Sequence, residues 1–138
     1  PSTLPSAVSS SGNNTAAVWQ PWSEAAVAQS LAQGKPVFVD FTAAWCVTCQ
    51  INKKSTLSDP VVLADFDKHN VTLMRADWTR RDAAITRALT ALGRSGVPVY
   101  VLHAPGQAAL VLSELLSVGQ IREALATLPT AAPAPTKP

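Results

Sequence analysis

Val37-Phe38-Val39-Asp40-Phe41-Thr42-Ala43-Ala44-Trp45-Cys46-Val47-Thr48-Cys49-Gln50 is the stretch that decides the fold. Val37, Phe38, Val39 and Phe41 are too continuously apolar to leave one face of a strand in water. Val37 to Thr42 is therefore expected to be a central strand, covered on both faces. Two cysteines follow at once, and Cys46 and Cys49 are the only ones in the chain. Thiols three residues apart at a strand-to-helix junction can close and open a disulfide between themselves, which points to electron exchange with the thiols of other proteins.

The unpaired N–H groups and the dipole of a helix N-terminus favour negative charge. Cys46 is thus predicted to hold its thiolate more readily than a free cysteine, whose pKa is about 8.5, and to be the nucleophile. Cys49, one turn further on the same face and more shielded, is the predicted resolving cysteine. Val47 and Thr48 between them bring no charge, so a moderately reducing centre is expected. Other chemistries stand beside this one. A purely structural disulfide over so short a loop removes little unfolded-state entropy. A zinc site needs two more ligands, and the candidates, His69 and His103, lack zinc-finger spacing. A thiol-only copper(I) site is compatible with the softness of the ligands. The expectation is no bound metal and no cofactor other than the Cys46–Cys49 disulfide.

Outward from this stretch, Ser23 reads as the cap of a helix running to Gln33, stopped by Gly34 and Lys35-Pro36. Downstream, a helix begins at the cysteines. Another takes Asp59 as cap and Pro60 as first residue and runs to about His69. Val71 to Ala76 is a second strand. Thr79 and Asp82 form a capping-box pattern ahead of Ile85, Ala88, Leu89 and Leu92, whose spacing gives one apolar helical face closed by Gly93. Val97 to His103 and Ala109 to Leu112 read as strands joined by a turn at Ala104-Pro105-Gly106-Gln107, hence antiparallel. Ser117 and Gln120 repeat the capping pattern before a final helix with Ile121, Ala124, Leu125 and Leu128 on one face. Strands linked by helices and ending in a hairpin imply an α/β fold, a central mixed sheet with helices on both faces. In such sheets reactive loops gather at the carboxyl ends of the parallel strands, where Cys46 falls.

Residues 1–18 and 129–138 are rich in Ser, Asn, Ala, Thr and Pro without periodicity and read as flexible tails around a domain at 19–128. Tails of this kind fit a piece cut from a longer chain, with any signal or anchor outside it. At 138 residues the chain can bury a sizeable core. Its formal charge of +2, from 11 basic and 9 acidic residues, is scattered, which argues against nucleic acid as a partner. No window is apolar over the length needed to cross a bilayer.

With the motif placed, the chain resembles the thioredoxin superfamily from about Trp19 to Leu128. It is most similar to the C-terminal thioredoxin-like periplasmic domain of the transmembrane thiol:disulfide interchange protein DsbD and its ScsB-like relatives. The resemblance rests on Trp45-Cys46-Val47-Thr48-Cys49, on Asp40 six residues ahead of Cys46, on Ser58-Asp59-Pro60 and on Gly96-Val97-Pro98; Asp77 to Asp82 looks more like the ScsB-like branch. It implies a thioredoxin-like fold and a thiol:disulfide oxidoreductase, with Asp40 as the buried carboxylate beneath the active site. A carboxylate among apolar neighbours has a raised pKa and suits a group that takes the proton of Cys49, unless Asp40 simply bonds a loop. Pro98 matches the family's cis-proline, which would leave the Val97 backbone free to pair with a partner; a trans proline opening the strand is the plainer alternative. Trp45 looks like the family's tryptophan shielding the thiols, or is simply core, as Trp19, Trp22 and Trp78 are candidates to be.

One departure stands out. Where that family usually has an acidic residue two turns beyond the first cysteine, this chain has Lys53 and then Lys54, read either as thiol-tuning cations or as a solvated face. The resemblance further implies periplasmic location within an inner-membrane protein. Its partners would be protein thiols and disulfides, among them the transmembrane and N-terminal periplasmic domains of the same parent. A free-standing thioredoxin-like reductase or oxidase and a copper(I)-binding carrier on the same fold remain the alternatives.

Overall fold

The computed structural model describes residues 18–128, so of the expected tails only Val18 falls within it. Its elements are β1 (Trp19–Pro21), α1 (Glu24–Ala32), β2 (Val37–Thr42), α2 (Val47–Lys54), a 3-10 turn (Thr56–Ser58), α3 (Pro60–Lys68), β3 (Thr72–Asp77), α4 (Ala83–Ala91), β4 (Val99–His103), β5 (Leu110–Val111) and α5 (Val118–Ala126). The five strands form one sheet in the order β1-β3-β2-β4-β5. β1 and β2 run parallel to β3, whereas β4 runs antiparallel to both β2 and β5. This is the expected mixed sheet with β2 at its centre, and all six β2 residues are buried.

The pleat of β2 divides the core. Val37, Val39 and Phe41 face a layer with Met74, Ala76, Val99 and Val101, closed by Val27 of α1 and by Ile85 and Leu89 of α4. Phe38 faces the opposite layer with Leu73, Tyr100 and Leu102, closed by Val62 and Phe66 of α3 and Ile121 and Leu125 of α5. Asp40 and Thr42 share the Phe38 face by alternation, and Asp40 is in register with Arg75 on one side and Tyr100 on the other. A carboxylate is therefore placed in the middle of the sheet, on the side covered by α2, α3 and α5.

The helix starts follow from capping chemistry. Ser23, Asp59 and Ser117 accept backbone N–H bonds at the first turns of α1, α3 and α5, and Pro60 sits where its missing N–H costs nothing. Gly93 ends α4 with a φ of 76°, the left-handed conformation that a side chain disfavours.

Four expectations are corrected. The described residues open with a strand rather than a helix, since Trp19–Pro21 pairs with β3. At three residues with a proline, β1 has no readable period, and an edge is where a strand tolerates proline. β4 begins at Val99 rather than Val97, because Pro98 has no N–H to give the ladder. β5 is only Leu110–Val111. Asp82 alone caps α4, accepting from Ile85 N–H at 3.1 Å, while Thr79 is used elsewhere.

Candidate redox active site

β2 ends at Thr42, and after a short turn α2 starts at Val47. Cys46 is its N-cap, with extended backbone dihedrals (φ −94°, ψ 110°), and its Sγ accepts the Cys49 N–H at 3.2 Å. A sulfur in that position faces the free amides of the first turn, which is what stabilises a thiolate. Cys46 and Cys49 are joined as a disulfide, with Cα atoms 5.3 Å apart. They differ in access as expected: Cys46 retains 7% of its surface and Cys49 none. Ala43 and Val97 pack against the pair, and the Val97–Pro98 peptide is cis. The active-site turn and the loop before β4 are thus brought together.

Around the disulfide the surface is apolar. Trp45 is 49% exposed, Val47 72% and Ile51 51%. Val47 and Ile51 are four residues apart and share a helical face beside the sulfurs. Thr48 is half-buried between the cysteines. Ile51 was not among the residues singled out from the sequence, although its spacing from Val47 is the signal that marks it.

Trp45 is held sideways rather than simply buried. Its indole N–H donates to the Thr79 carbonyl at 3.1 Å, its ring meets Trp78, and the Arg81 guanidinium lies 5.0 Å from its centroid and 4.9 Å from that of Trp78. Arg81 adopts a φ of 56°, unusual for a side chain of that size. Thr79 Oγ1 accepts the Ala44 N–H at 2.8 Å and donates to Asp77, whose carboxyl these Thr79 bonds hold below its ordinary range. The segment after β3 therefore clasps the turn that carries Cys46. Replacing Thr79 with Val keeps the shape and removes both hydroxyl bonds. We expect a loss of about 1 kcal/mol in stability, a faster-exchanging Ala44 amide by NMR and disulfide exchange slowed severalfold.

Beneath α2, Asp40 has no exposed surface, and its Oδ2 accepts from Arg75 Nε at 2.9 Å. Its partner is thus a guanidinium on β3, not a loop. The other oxygen, Oδ1, is buried without a hydrogen-bond partner among the described residues. Burial pushes the Asp40 carboxyl up from its ordinary value; the bond and charge of Arg75, then the charge of Lys53, pull it back only in part. Arg75 is itself stacked on Trp19, 4.0 Å from the ring centroid.

Two further residues of α2 point inward. Asn52 is fully buried; its amide nitrogen donates to Tyr100 Oη and to the Glu114 carbonyl, both at 2.8 Å, and its oxygen accepts the Leu116 N–H at 3.1 Å. Of the two readings of Lys53 and Lys54, the solvated face holds only for Lys54. Lys53 turns under the helix to donate to Thr42 Oγ1 at 2.6 Å.

The two histidines are not brought to the cysteines. His103 pairs with Val37 and His69 caps the end of α3, so both lie toward the other end of the sheet, the length of β2 away, roughly 17 Å at about 3.3 Å per residue. Among the described residues no group of three His, Cys, Asp or Glu side chains is placed to hold a metal ion.

The thioredoxin-like family profile matches residues 18–105, which includes the cysteines, Asp40 and Pro98. The chain belongs to the thioredoxin-like family. This thioredoxin-like domain is 34% identical over 83 residues to the thiol:disulfide interchange protein DsbD 1 of Pseudomonas aeruginosa, an alignment covering 60% of this chain and 14% of that protein. It is 40% identical over 79 residues to DsbD of Escherichia coli K12, covering 55% of this chain and 13% of that protein. The chain therefore spans only a small part of the relatives it matches. In fold it is similar to the reduced C-terminal domain of DsbD from Neisseria meningitidis, with a TM-score of 0.64 at 24% identity over 75% of this chain and 90% of that one. A thioredoxin from Thermus thermophilus gives 0.62 at 21% identity, covering 78% and 83% of the two chains. The Cys46–Cys49 pair of this thioredoxin-like domain sits at the start of α2 as a closed disulfide, with Cys46 slightly exposed and Cys49 buried behind it.

Proposed function

We propose that this domain is the electron-passing module of a larger DsbD-like protein. It would receive electrons from a membrane-embedded cysteine pair of its parent and deliver them to periplasmic partner disulfides, among them an N-terminal periplasmic domain of the same parent. The observation that carries the exchange chemistry is Cys46 as the cap of α2, with its sulfur on the first-turn amides and a fully buried Cys49 one turn behind. The relatives are named thiol:disulfide interchange proteins and are several times longer than the matched stretch, which supports a module working beside other domains. No helix among the described residues is long and apolar enough to cross a membrane, so the membrane-embedded pair would belong to another part of the parent.

Starting from the dithiol, the Cys46 thiolate attacks one sulfur of the partner disulfide and displaces the other as a thiolate. Cys49 then loses its proton to Asp40 and attacks Cys46 Sγ, which releases the second partner thiolate and closes the Cys46–Cys49 disulfide. Two electrons leave the pair and reduce the partner, with no cofactor beyond the disulfide. The partner strand would lie along Val97, which is outside the β2–β4 ladder because that ladder ends at Phe41 and Val99. Trp45, Val47, Thr48 and Pro98 would line its apolar seat.

Trapping tests the order. A Cys49→Ser variant should accumulate a mixed disulfide with the partner domain on non-reducing gels, and a Cys46→Ser variant should not. If neither forms a covalent complex, the reading is wrong.

A further inference from the structure

Lys53 is the feature of α2 that the exchange reaction leaves unused. A lysine in the last turn of a short helix has open water within reach, and Lys54 takes it. Lys53 instead brings its ammonium to the buried hydroxyl of Thr42. Thr42 follows Asp40 by two residues on the same face of β2, and its neighbour Ala43 packs against Cys46 and Cys49. Lys53 is also four residues beyond Cys49, so their side chains descend from consecutive turns of one helical face, with Cβ atoms about 5–6 Å apart. The ammonium is therefore held at Thr42, on the face of β2 that also carries Asp40, one helical turn from Cys49.

The charged and titratable groups around it can be named from each packed element. β2 contributes Asp40, β3 contributes Arg75 and Asp77, β4 contributes Tyr100, and α2 contributes Cys49 itself. Tyr100 stays neutral, because burial pushes its phenol far up. Asp77 lies on the rim, bonded to Thr79, and its charge also supports the Lys53 ammonium. Burial pushes the Lys53 ammonium down, and Asp40 acts against that. Arg75 and Lys53, both partly exposed, thus face the buried Asp40, with Asp77 acting on Lys53 from the rim. The cysteines add no charge to this group while they are a neutral disulfide. Reduction adds one, because two electrons and one proton convert the disulfide into one thiol and one thiolate, and Lys53 is the cation on the helical face of Cys49.

We propose that Lys53 is an electrostatic positioning residue of the cysteine pair, supplying the cation that balances the thiolate formed on reduction. This deepens the exchange reading given above and rests on it. A cation that favours the reduced, ionised state makes the disulfide easier to reduce, so Lys53 holds the pair at a less reducing potential than the same fold would have without it.

The test reads the pair itself. The reduced domain is titrated by its thiolate absorbance, and the oxidised domain is equilibrated at neutral pH with glutathione, two glutathione thiols giving glutathione disulfide as Cys46–Cys49 is reduced. Lys53→Met should move thiol ionisation to higher pH and shift the glutathione equilibrium severalfold toward the protein disulfide, up to about tenfold, which is about 30 mV for two electrons. Lys53→Arg should stay near the parent. Lys54→Gln, which removes the same formal charge from the exposed neighbour, should leave both readouts in place. Thr42→Val, which frees the ammonium without deleting it, should shift both in the direction of Lys53→Met by a smaller amount and serves if Lys53→Met does not fold. Unmoved readouts in folded Lys53→Met, or in Thr42→Val if that is the variant that folds, overturn the proposal, as does an equal shift in Lys54→Gln. Glutathione replaces the protein partner throughout, so a failed trapping experiment and a failed titration are separate results.

Discussion

Asn52→Leu is expected to unfold in urea with a stability about 3–5 kcal/mol below that of the parent domain. The two side chains share one branched heavy-atom skeleton, so the substitution opens no cavity and the loss comes chiefly from hydrogen bonding. Asn52 is fully buried and spends three bonds in tying α2 to two separate parts of the chain, Tyr100 on β4 and the backbone at Glu114 and Leu116 ahead of α5. Leucine leaves the buried Tyr100 hydroxyl and Leu116 N–H without that partner, at about 1–3 kcal/mol each, and frees the Glu114 carbonyl, which lies nearer the surface. A domain of this size has roughly 5–15 kcal/mol to lose, so the variant should be visibly marginal. Tyr100→Phe removes one of the three bonds and should cost about 1 kcal/mol. Equal losses in the two variants would show that the triple anchor is not what holds the helix in place.

Asn52 also marks the boundary of what the sequence discloses. The buried strand, the cysteine pair behind it and the apolar faces of α4 and α5 are legible because each is encoded within a few residues by period, spacing and capping chemistry. Cys46 at a helix N-terminus follows from the same local pattern, whereas Asp40 as the buried carboxylate beneath it is what the resemblance to the thioredoxin superfamily implies. The partners of those residues follow from neither. Arg75 reaches Asp40 across 35 positions of sequence, and Asn52 reaches Tyr100 across 48. A polar residue in an amphipathic helix reads equally well as solvated, which is why Lys53 and Lys54 look alike until the helix is packed. Thr79 fails for a related reason. Thr79 and Asp82 have the spacing of a capping box, but the hydroxyl finds a better use in the Ala44 amide on the neighbouring loop, a competitor that only the tertiary fold supplies. Strand β1 is too short for any period, and only its pairing with β3 makes it a strand.

Asp40→Asn is expected to make the domain more stable at neutral pH and slower in exchange, and the two effects have one cause. Burial is the larger influence on the Asp40 carboxyl and raises its folded pKa above the ordinary carboxylate value, which is about 3.9 in an unfolded chain. Below that unfolded value the group is protonated in both states and the full stability of the fold is present. As pH rises through the folded pKa, the folded protein must ionise a carboxyl that water would ionise more easily, so stability falls. Asparagine does not titrate, and its oxygen still accepts from Arg75. The variant should therefore match the parent in acid and gain on it as pH climbs, by about 1–2 kcal/mol near neutrality, with Arg75 and Lys53 limiting the gain. Urea midpoints taken across pH 3 to 8 check the sign, and a variant that loses stability at neutral pH would contradict it. The same substitution removes the buried carboxylate on the face of β2 covered by α2, whose Oδ1 has no hydrogen-bond partner among the described residues. Attack by Cys46 does not need that oxygen, whereas Cys49 must shed a proton before it can resolve the mixed disulfide. Loss of a positioned base is worth about 10²-fold or more. Stopped-flow traces of Asp40→Asn should thus show formation of the mixed disulfide near the parent rate and its resolution slowed by about that factor at neutral pH. The deficit should narrow at alkaline pH, where hydroxide can deprotonate Cys49 without help. A carboxylate kept in the core at a cost to stability is what a proton acceptor for a buried thiol requires, and asparagine separates the cost from the service.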